Sequence, residues 1–327
     1  MCKTFGESRS GHISPREELL PRSSACRRER MRRPARRHLP SQRPRTRSAS
    51  GVGIPSSRSV GGVVTDTVGL AASLYRRGTP YVRIPTTLVG MIDAAIGAKT
   101  GINVGEHKNR LGTYYPATNT LVDPQFLRTL PARHVRNGMA EIIKMAIVKE
   151  PVLFKLLESD PEGLIAAQLV SDDGQEIMNR AITSMLEELE PNLWENELRR
   201  LVDFGHTFSP RLEMCAKPPL LHGEAVAIDM ALCCALAYGR GLISATDVKR
   251  ILNLLHRYSL PITHPTCDVD LLQEGLEEST RHRNGNQYCP LPVGIGAAEF
   301  VEGVTNAELA RAGELLAMFA QAEEAQV

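Results

Sequence analysis

Three side chains able to hold a metal stand out: Glu141 in Gly138-Met-Ala-Glu-Ile-Ile-Lys144, His206 in Asp203-Phe-Gly-His-Thr-Phe208 and His222 in His222-Gly-Glu-Ala-Val226. Two imidazoles and one carboxylate form an open zinc set that leaves room for substrate hydroxyls. Taken singly, a histidine is more often a cap or a core residue. Both of these stand beside glycine at helix starts, where a side chain projects into a cleft. Their spacing alone does not force the three together.

A second cluster is Asp93, Lys99, Asn103, Lys108, Asn109 and Arg110, spread through Ile92-Asp-Ala-Ala-Ile-Gly-Ala-Lys-Thr-Gly-Ile-Asn103 and His107-Lys-Asn-Arg110. Small residues between the lysines let backbone and ammonium groups approach an anion closely. The alternative is a solvated Gly-rich loop with ordinary surface lysines. Lys144, three residues after Glu141, shares its helical face and would bring a cation beside the metal ligand. Arg199, four residues before Asp203, is either an anion-binding group or a surface charge. A third feature is Gly61-Gly-Val-Val-Thr-Asp66 before a helical run, then Pro85-Thr-Thr87 at a strand end. Glycines before a helix let backbone N–H groups meet a pyrophosphate, and threonines donate to cofactor oxygens. Standing alone, a Gly-Gly pair marks many ordinary turns.

The elements that must position these groups change character along the chain. Residues 1–58 hold fifteen Lys/Arg against four Glu, a net +11, so the remaining residues carry −9 of the overall +2. An acidic body argues against nucleic acid as the main partner. The Arg, Ser and Pro of residues 1–58 predict disorder. Three readings of that stretch compete: a solvated tail, an Arg-rich targeting peptide, or a mistaken start in the wrong frame. From residue 60 on, a helix-like run Val68–Tyr75 and a strand-like Tyr81–Ile84 alternate as in an α/β nucleotide-binding half. After Pro131 a 3.6-residue period predicts helices near 133–149, 173–190, 205–214, 222–240, 245–257 and 306–323. A boundary near residue 125 follows the strand-like Thr120-Leu-Val122.

No run of about 18 uninterrupted apolar residues occurs, so no membrane-spanning helix is expected. The seven cysteines are odd in number, lack a CxxC and include adjacent Cys233 and Cys234 in an apolar segment. Buried thiols in a reducing cytoplasm fit that pattern.

The run Arg83-Ile-Pro-Thr-Thr-Leu-Val-Gly-Met-Ile-Asp-Ala-Ala-Ile-Gly-Ala-Lys-Thr-Gly-Ile-Asn103, followed by His107-Lys-Asn-Arg-Leu-Gly-Thr-Tyr-Tyr115, resembles the substrate loop of the sugar-phosphate cyclases, the relatives of 3-dehydroquinate synthase. The resemblance covers about residues 59–305. It implies a dehydroquinate synthase-like fold: a basic tail over 1–58, a partial Rossmann-like NAD-binding domain over 59–125, and a mostly helical metal- and substrate-binding domain over 126–327. It implies that Glu141, His206 and His222 bind zinc, with cobalt as a substitute. Asp93, Lys99, Lys108, Asn109, Lys144, Arg199 and Asp203 would contact the sugar phosphate, with Lys144, Lys99, Arg199 and Asp93 acting in catalysis. Gly61, Gly62, Asp66, Thr86, Thr87 and Lys108 would belong to the NAD site. Homodimerisation is expected on the same ground.

Within the family the chain departs from dehydroquinate synthase, which reads Asn-Phe-Gly-His-Thr with a further histidine four residues on; here the block is Asp203-Phe-Gly-His-Thr-Phe-Ser-Pro210. Leu186-Glu-Glu-Leu-Glu-Pro-Asn-Leu-Trp-Glu195 and Pro290-Leu-Pro-Val-Gly-Ile-Gly296 resemble the 2-epi-5-epi-valiolone synthases. That implies conversion of sedoheptulose 7-phosphate by oxidation, phosphate elimination, reduction and aldol closure, with NAD regenerated each turnover. Loss of basic groups facing a substrate carboxylate suits a sugar that has none. The rival readings are 3-dehydroquinate synthase itself, a cyclase making another cyclitol from the same sugar, an iron-dependent alcohol dehydrogenase relative, and an inactive truncated homologue serving as an interaction protein. The resemblance also leads us to expect an incomplete nucleotide-binding half, because the family's first strand and its acidic group for the adenosine ribose have no counterpart in 1–58.

Overall fold

The computed structural model describes residues 62–104 and 107–324; the side chains of His107 and Lys108 and of residues 322–324 are outside that description. The expected tail over 1–58, and Gly61, lie outside the described residues. Helix α1 spans Gly62–Leu74 and β1 spans Val82–Arg83, followed by a π-helical turn at Gly90–Ala94. The hairpin β2 (Lys99–Val104) and β3 (His107–Tyr114) comes next, then β4 (Asn119–Thr120). β1 and β4 pair in parallel, Val82 with Asn119 and Arg83 with Thr120. β2 and β3 pair antiparallel, Lys99 opposite Tyr114 and Gly101 opposite Gly112.

The remainder is mainly helical: α2 (Ala132–Val148), α3 (Pro151–Ser159), α4 (Pro161–Ala166), α5 (Asp172–Leu189), α6 (Ser209–Cys215), α7 (His222–Gly239), α8 (Ala245–Arg257), α9 (Val269–His282) and α10 (Asn306–Glu324). One antiparallel hairpin, β5 (Cys289–Pro292) and β6 (Ala298–Val301), stands between α9 and α10.

Helix α7 is the axis of the core. Residues Ala225–Ala237 are all buried, so the helix is covered on every face, as a helix surrounded by others must be. It packs on α2, α6, α8, α10 and β5. Cys233 and Cys234 are buried in it, as the sequence suggested. Helix α2 has an apolar stripe facing this core, and its second half, Gly138–Val148, is wholly buried.

Three differences from the sequence reading have physical reasons. Gly62–Asp66 is the start of α1 itself, so Gly62 is inside the helix and not in a turn before it. The helix expected from 205 begins only at Ser209. Gly205 takes φ +74°, and a Cβ there would crowd Met230 and Val226 of α7, so the chain turns before it coils. Asp229 accepts the Phe208 amide at 2.5 Å and the Ser209 amide at 2.7 Å, capping the helix that does form. Residues 92–94, 99–104 and 107–110, open to reading as a Gly-rich loop, belong to a π turn and to the paired strands β2 and β3. Gly112 is required there because any Cβ would overlap the Thr100 carbonyl across the ladder.

Candidate metal centre

Glu141 sits mid-way along α2, 1% exposed, where it faces the N-terminus of α7. Its Oε1 lies 3.2 Å from His222 Nε2 and 3.7 Å from His206 Nε2. The two imidazole rings tilt at 55° with centroids 5.4 Å apart. One donor atom from each of the three residues lies within 4.8 Å of the others, the one such group of His, Cys, Asp and Glu among the described residues.

The proton positions follow from what each outer nitrogen meets. His206 Nδ1 is 3.1 Å from the Phe204 carbonyl, which only accepts, so Nδ1 carries the hydrogen and Nε2 turns a lone pair to Glu141. His222 Nδ1 lies 3.1 Å from Glu213 Oε2 and donates to that carboxylate. Burial, followed by the nearby Lys144 cation, pushes the His206 pKa down to about 3, so its ring is neutral. Nε2 of both rings thus faces the buried Glu141 carboxylate, which also meets the Lys144 ammonium. Two imidazole nitrogens and a carboxylate oxygen within 4.8 Å of one another are the donor set of zinc.

Lys144 lies 2.5 Å from Glu141 Oε2 and is equally buried. Burial opposes the Glu141 charge, but Lys144 and the imidazoles outweigh it and hold the carboxyl well below its usual range. Burial likewise opposes the Lys144 ammonium, and Glu141 and Asp93 outweigh it, raising its pKa. Asp93, on the π turn, is shifted upward first by burial and then by Glu141. Gly138 is what lets that turn approach, because a Cβ there would stand 2.5 Å from Leu88 side-chain atoms.

Beside this group runs a second set of charges. Lys99 Nζ is 2.6 Å from Glu195 Oε1. Glu195 also pairs with Arg200, which reaches Asp203 Oδ1 at 2.5 Å. Arg283 reaches Asp203 Oδ2 at 3.0 Å. Burial works against the Asp203 charge, but these two guanidinium groups outweigh it and lower its pKa.

The structure therefore brings Glu141, His206, His222, Lys144 and Asp93 together and sets Lys99 and Asp203 in the adjoining network. Arg199 is elsewhere: its guanidinium lies over the rings of Tyr288 at 4.9 Å and Phe300 at 5.7 Å. Asn109 is exposed within β3 with φ +50°, its amide donating to Asn103 Oδ1 at 2.8 Å. Of the residues assigned to a dinucleotide, Gly62 and Asp66 are on α1, while Thr86 and Thr87 precede the π turn. The Thr87 hydroxyl accepts the Gly90 amide at 3.2 Å, and a Cβ on Gly62 would meet Ala94 at 3.2 Å. The described residues thus fit a metal fully and a dinucleotide only in part.

Sequence reading missed Glu213, Glu195, Arg200 and Arg283. Arg200 adjoins Arg199, the residue the sequence singles out. Glu213 carries no motif, since its role exists only because α6 lies against the start of α7.

Two family models match the chain: 3-dehydroquinate synthase N-terminal over residues 57–137 and 3-dehydroquinate synthase C-terminal over 138–281. The 2-epi-5-epi-valiolone synthase of Streptomyces hygroscopicus subsp. jinggangensis (strain 5008) is 57% identical over 255 residues, 76% of this chain and 62% of that protein. The 3-dehydroquinate synthase of Synechococcus sp. (strain CC9605) is 37% identical over 250 residues, 76% of this chain and 67% of its own length. The solved structure of the S. hygroscopicus enzyme ValA, with NAD+ and Zn2+ bound, superposes with a TM-score of 0.77, covering 79% of this chain and 72% of that one. The chain belongs to the 3-dehydroquinate synthase family of sugar-phosphate cyclases. It spans less than two thirds of the S. hygroscopicus relative's length.

Proposed function

We propose that this chain is a zinc- and NAD-dependent carbon–oxygen lyase that cyclises sedoheptulose 7-phosphate to 2-epi-5-epi-valiolone with release of phosphate, as a step in natural-product biosynthesis. The observation that carries the reading is the buried Glu141 carboxylate, on whose Oε1 the Nε2 atoms of His206 and His222 converge. Identities of 51–57% to four 2-epi-5-epi-valiolone synthases, against 37% to 3-dehydroquinate synthases, favour the sugar without a carboxylate as substrate.

Glu141, His206 and His222 would hold the metal, which supplies a Lewis acid to polarise a substrate hydroxyl. NAD+ would supply a reversible hydride acceptor, with Gly62, Asp66, Thr86 and Thr87 as the described groups on its side. Asp93, its pKa raised by burial, and Lys144, a buried cation beside it, are suited to hold and pass a proton next to the metal. Lys99, Lys108, Asn109, Arg199 and Asp203 remain the proposed substrate contacts. The division near residue 125, a homodimer and a cytoplasmic location belong to the same reading; no helix among the described residues is long and apolar enough to cross a membrane.

The test is to supply the purified chain with Zn2+ and NAD+ and offer it sedoheptulose 7-phosphate or the seven-carbon acid phosphate of the dehydroquinate reaction, following phosphate release and identifying the product by NMR. Formation of 2-epi-5-epi-valiolone from the former supports the proposal. Cyclisation of the acid phosphate alone assigns the chain to 3-dehydroquinate synthase, and turnover of neither favours the non-catalytic reading.

A further inference from the structure

Between α5 and α6 the chain makes a compact excursion, residues 190–200, that touches the hairpin. Its centre, Glu195, has φ +53°, a left-handed conformation that costs a residue with a Cβ about 1 kcal/mol or more. The strain is held in place by the Asn192 side chain, which donates to the Glu197 carbonyl at 2.6 Å and accepts the Glu197 amide at 3.0 Å. Trp194 adds an edge-on contact with Tyr114, centroids 6.5 Å apart. This backbone aims one carboxylate inward, its side chain 10% exposed, onto three groups from separate elements: Lys99 Nζ of β2 at 2.6 Å, the Tyr114 hydroxyl of β3 at 3.1 Å, and Arg200.

We propose that Glu195 is a positioning residue that fixes the ammonium of Lys99 and the guanidinium of Arg200 for the phosphate of the substrate. Lys99 is 59% exposed at its side chain and would otherwise sample many rotamers; an anchored cation loses less freedom when an anion arrives. Lys99, Arg200 and Arg283 are answered by Glu195 and Asp203, which leaves one positive charge for an anion. Strain retained at a residue whose carboxylate gathers charges beside the metal centre is the pattern of a functional constraint. The assignment rests on the function proposed above.

The experiment uses the full chain loaded with zinc, titrated calorimetrically with sedoheptulose 7-phosphate. Glu195→Gln keeps the shape of the side chain and one acceptor oxygen but removes its charge. It is expected to weaken binding by about fivefold or more at an unchanged melting temperature. In a Lys99→Gln background the same substitution is expected to have a much smaller effect, a coupling that a merely structural role would not produce. Tyr114→Phe, which deletes only the hydroxyl, is the second variant should Glu195→Gln unfold, with binding weakened by about twofold. Wild-type affinity in folded Glu195→Gln, or in Tyr114→Phe where that replaces it, overturns this assignment alone, as does an effect undiminished by Lys99→Gln. A wild-type chain that does not bind the sugar phosphate overturns both this assignment and the proposed function.

Discussion

The amide of Gly223 donates to the Asn137 side-chain oxygen at 2.6 Å, across the contact between the start of α7 and the body of α2. His222 directly precedes this glycine, and Glu141 lies one turn beyond Asn137, so the contact sets the distance between two of the proposed metal ligands. A Cβ on Gly223 would overlap the Asn137 carbonyl. A second tie spans the same helices: Arg133 makes a two-pronged pair with Glu224 at 2.7 and 2.8 Å, and Glu224 also accepts the Leu221 amide at 2.8 Å.

Gly223→Ala should therefore push α7 away from α2. The expected loss is about 2–4 kcal/mol of stability, read from urea midpoints, with zinc affinity falling in parallel. Unchanged affinity in a folded variant would show that the helix contact does not set the ligand spacing.

Glu213→Gln should act on the metal without acting on the fold. The carboxylate orients the His222 ring through Nδ1 and makes its Nε2 a better donor. Zinc affinity is expected to drop by about tenfold to a hundredfold in competition with a chromogenic chelator, while the thermal midpoint of the metal-free protein stays within a few degrees.

How much of this could be read before the structure depended on the range of the interactions. Helices α2, α5, α7, α8 and α10 follow from apolar periodicity, and their ends fall within a residue or two of the expected positions. Helix α6 was misplaced because its start is fixed by Gly205 against α7 and by Asp229 of α7, neither of which is local. Glu141, His206 and His222 stand out as candidates in the sequence, and their convergence is a product of helix packing that spacing does not encode. Glu213 and Glu195 were invisible as site residues for the same reason. Short α3 and α4 and the β5–β6 hairpin were passed over, since a few residues give little periodicity to read.

Stability should depend on pH through Asp229. Burial pushes its pKa up to about 6, although the Phe208 and Ser209 amides and the Cys233 thiol work the other way. Because the folded state then holds the proton more tightly than the unfolded chain, its contribution is complete below about pH 4. It is lost as the pH rises to about 6, by up to about 3 kcal/mol. Asp229→Asn should flatten that part of the profile, seen as a difference between wild-type and variant urea midpoints from pH 4 to 7. Parallel profiles would contradict the assignment.

The most direct measurement is the zinc content of the purified chain after dialysis against metal-free buffer, by inductively coupled plasma mass spectrometry. The expected result is about one zinc per chain for the wild type and less than about a tenth of that for Glu141→Ala, His206→Ala and His222→Ala, each still folded by circular dichroism. Full zinc retention in those three variants, or a folded wild-type chain that takes up none when zinc is supplied, would contradict it.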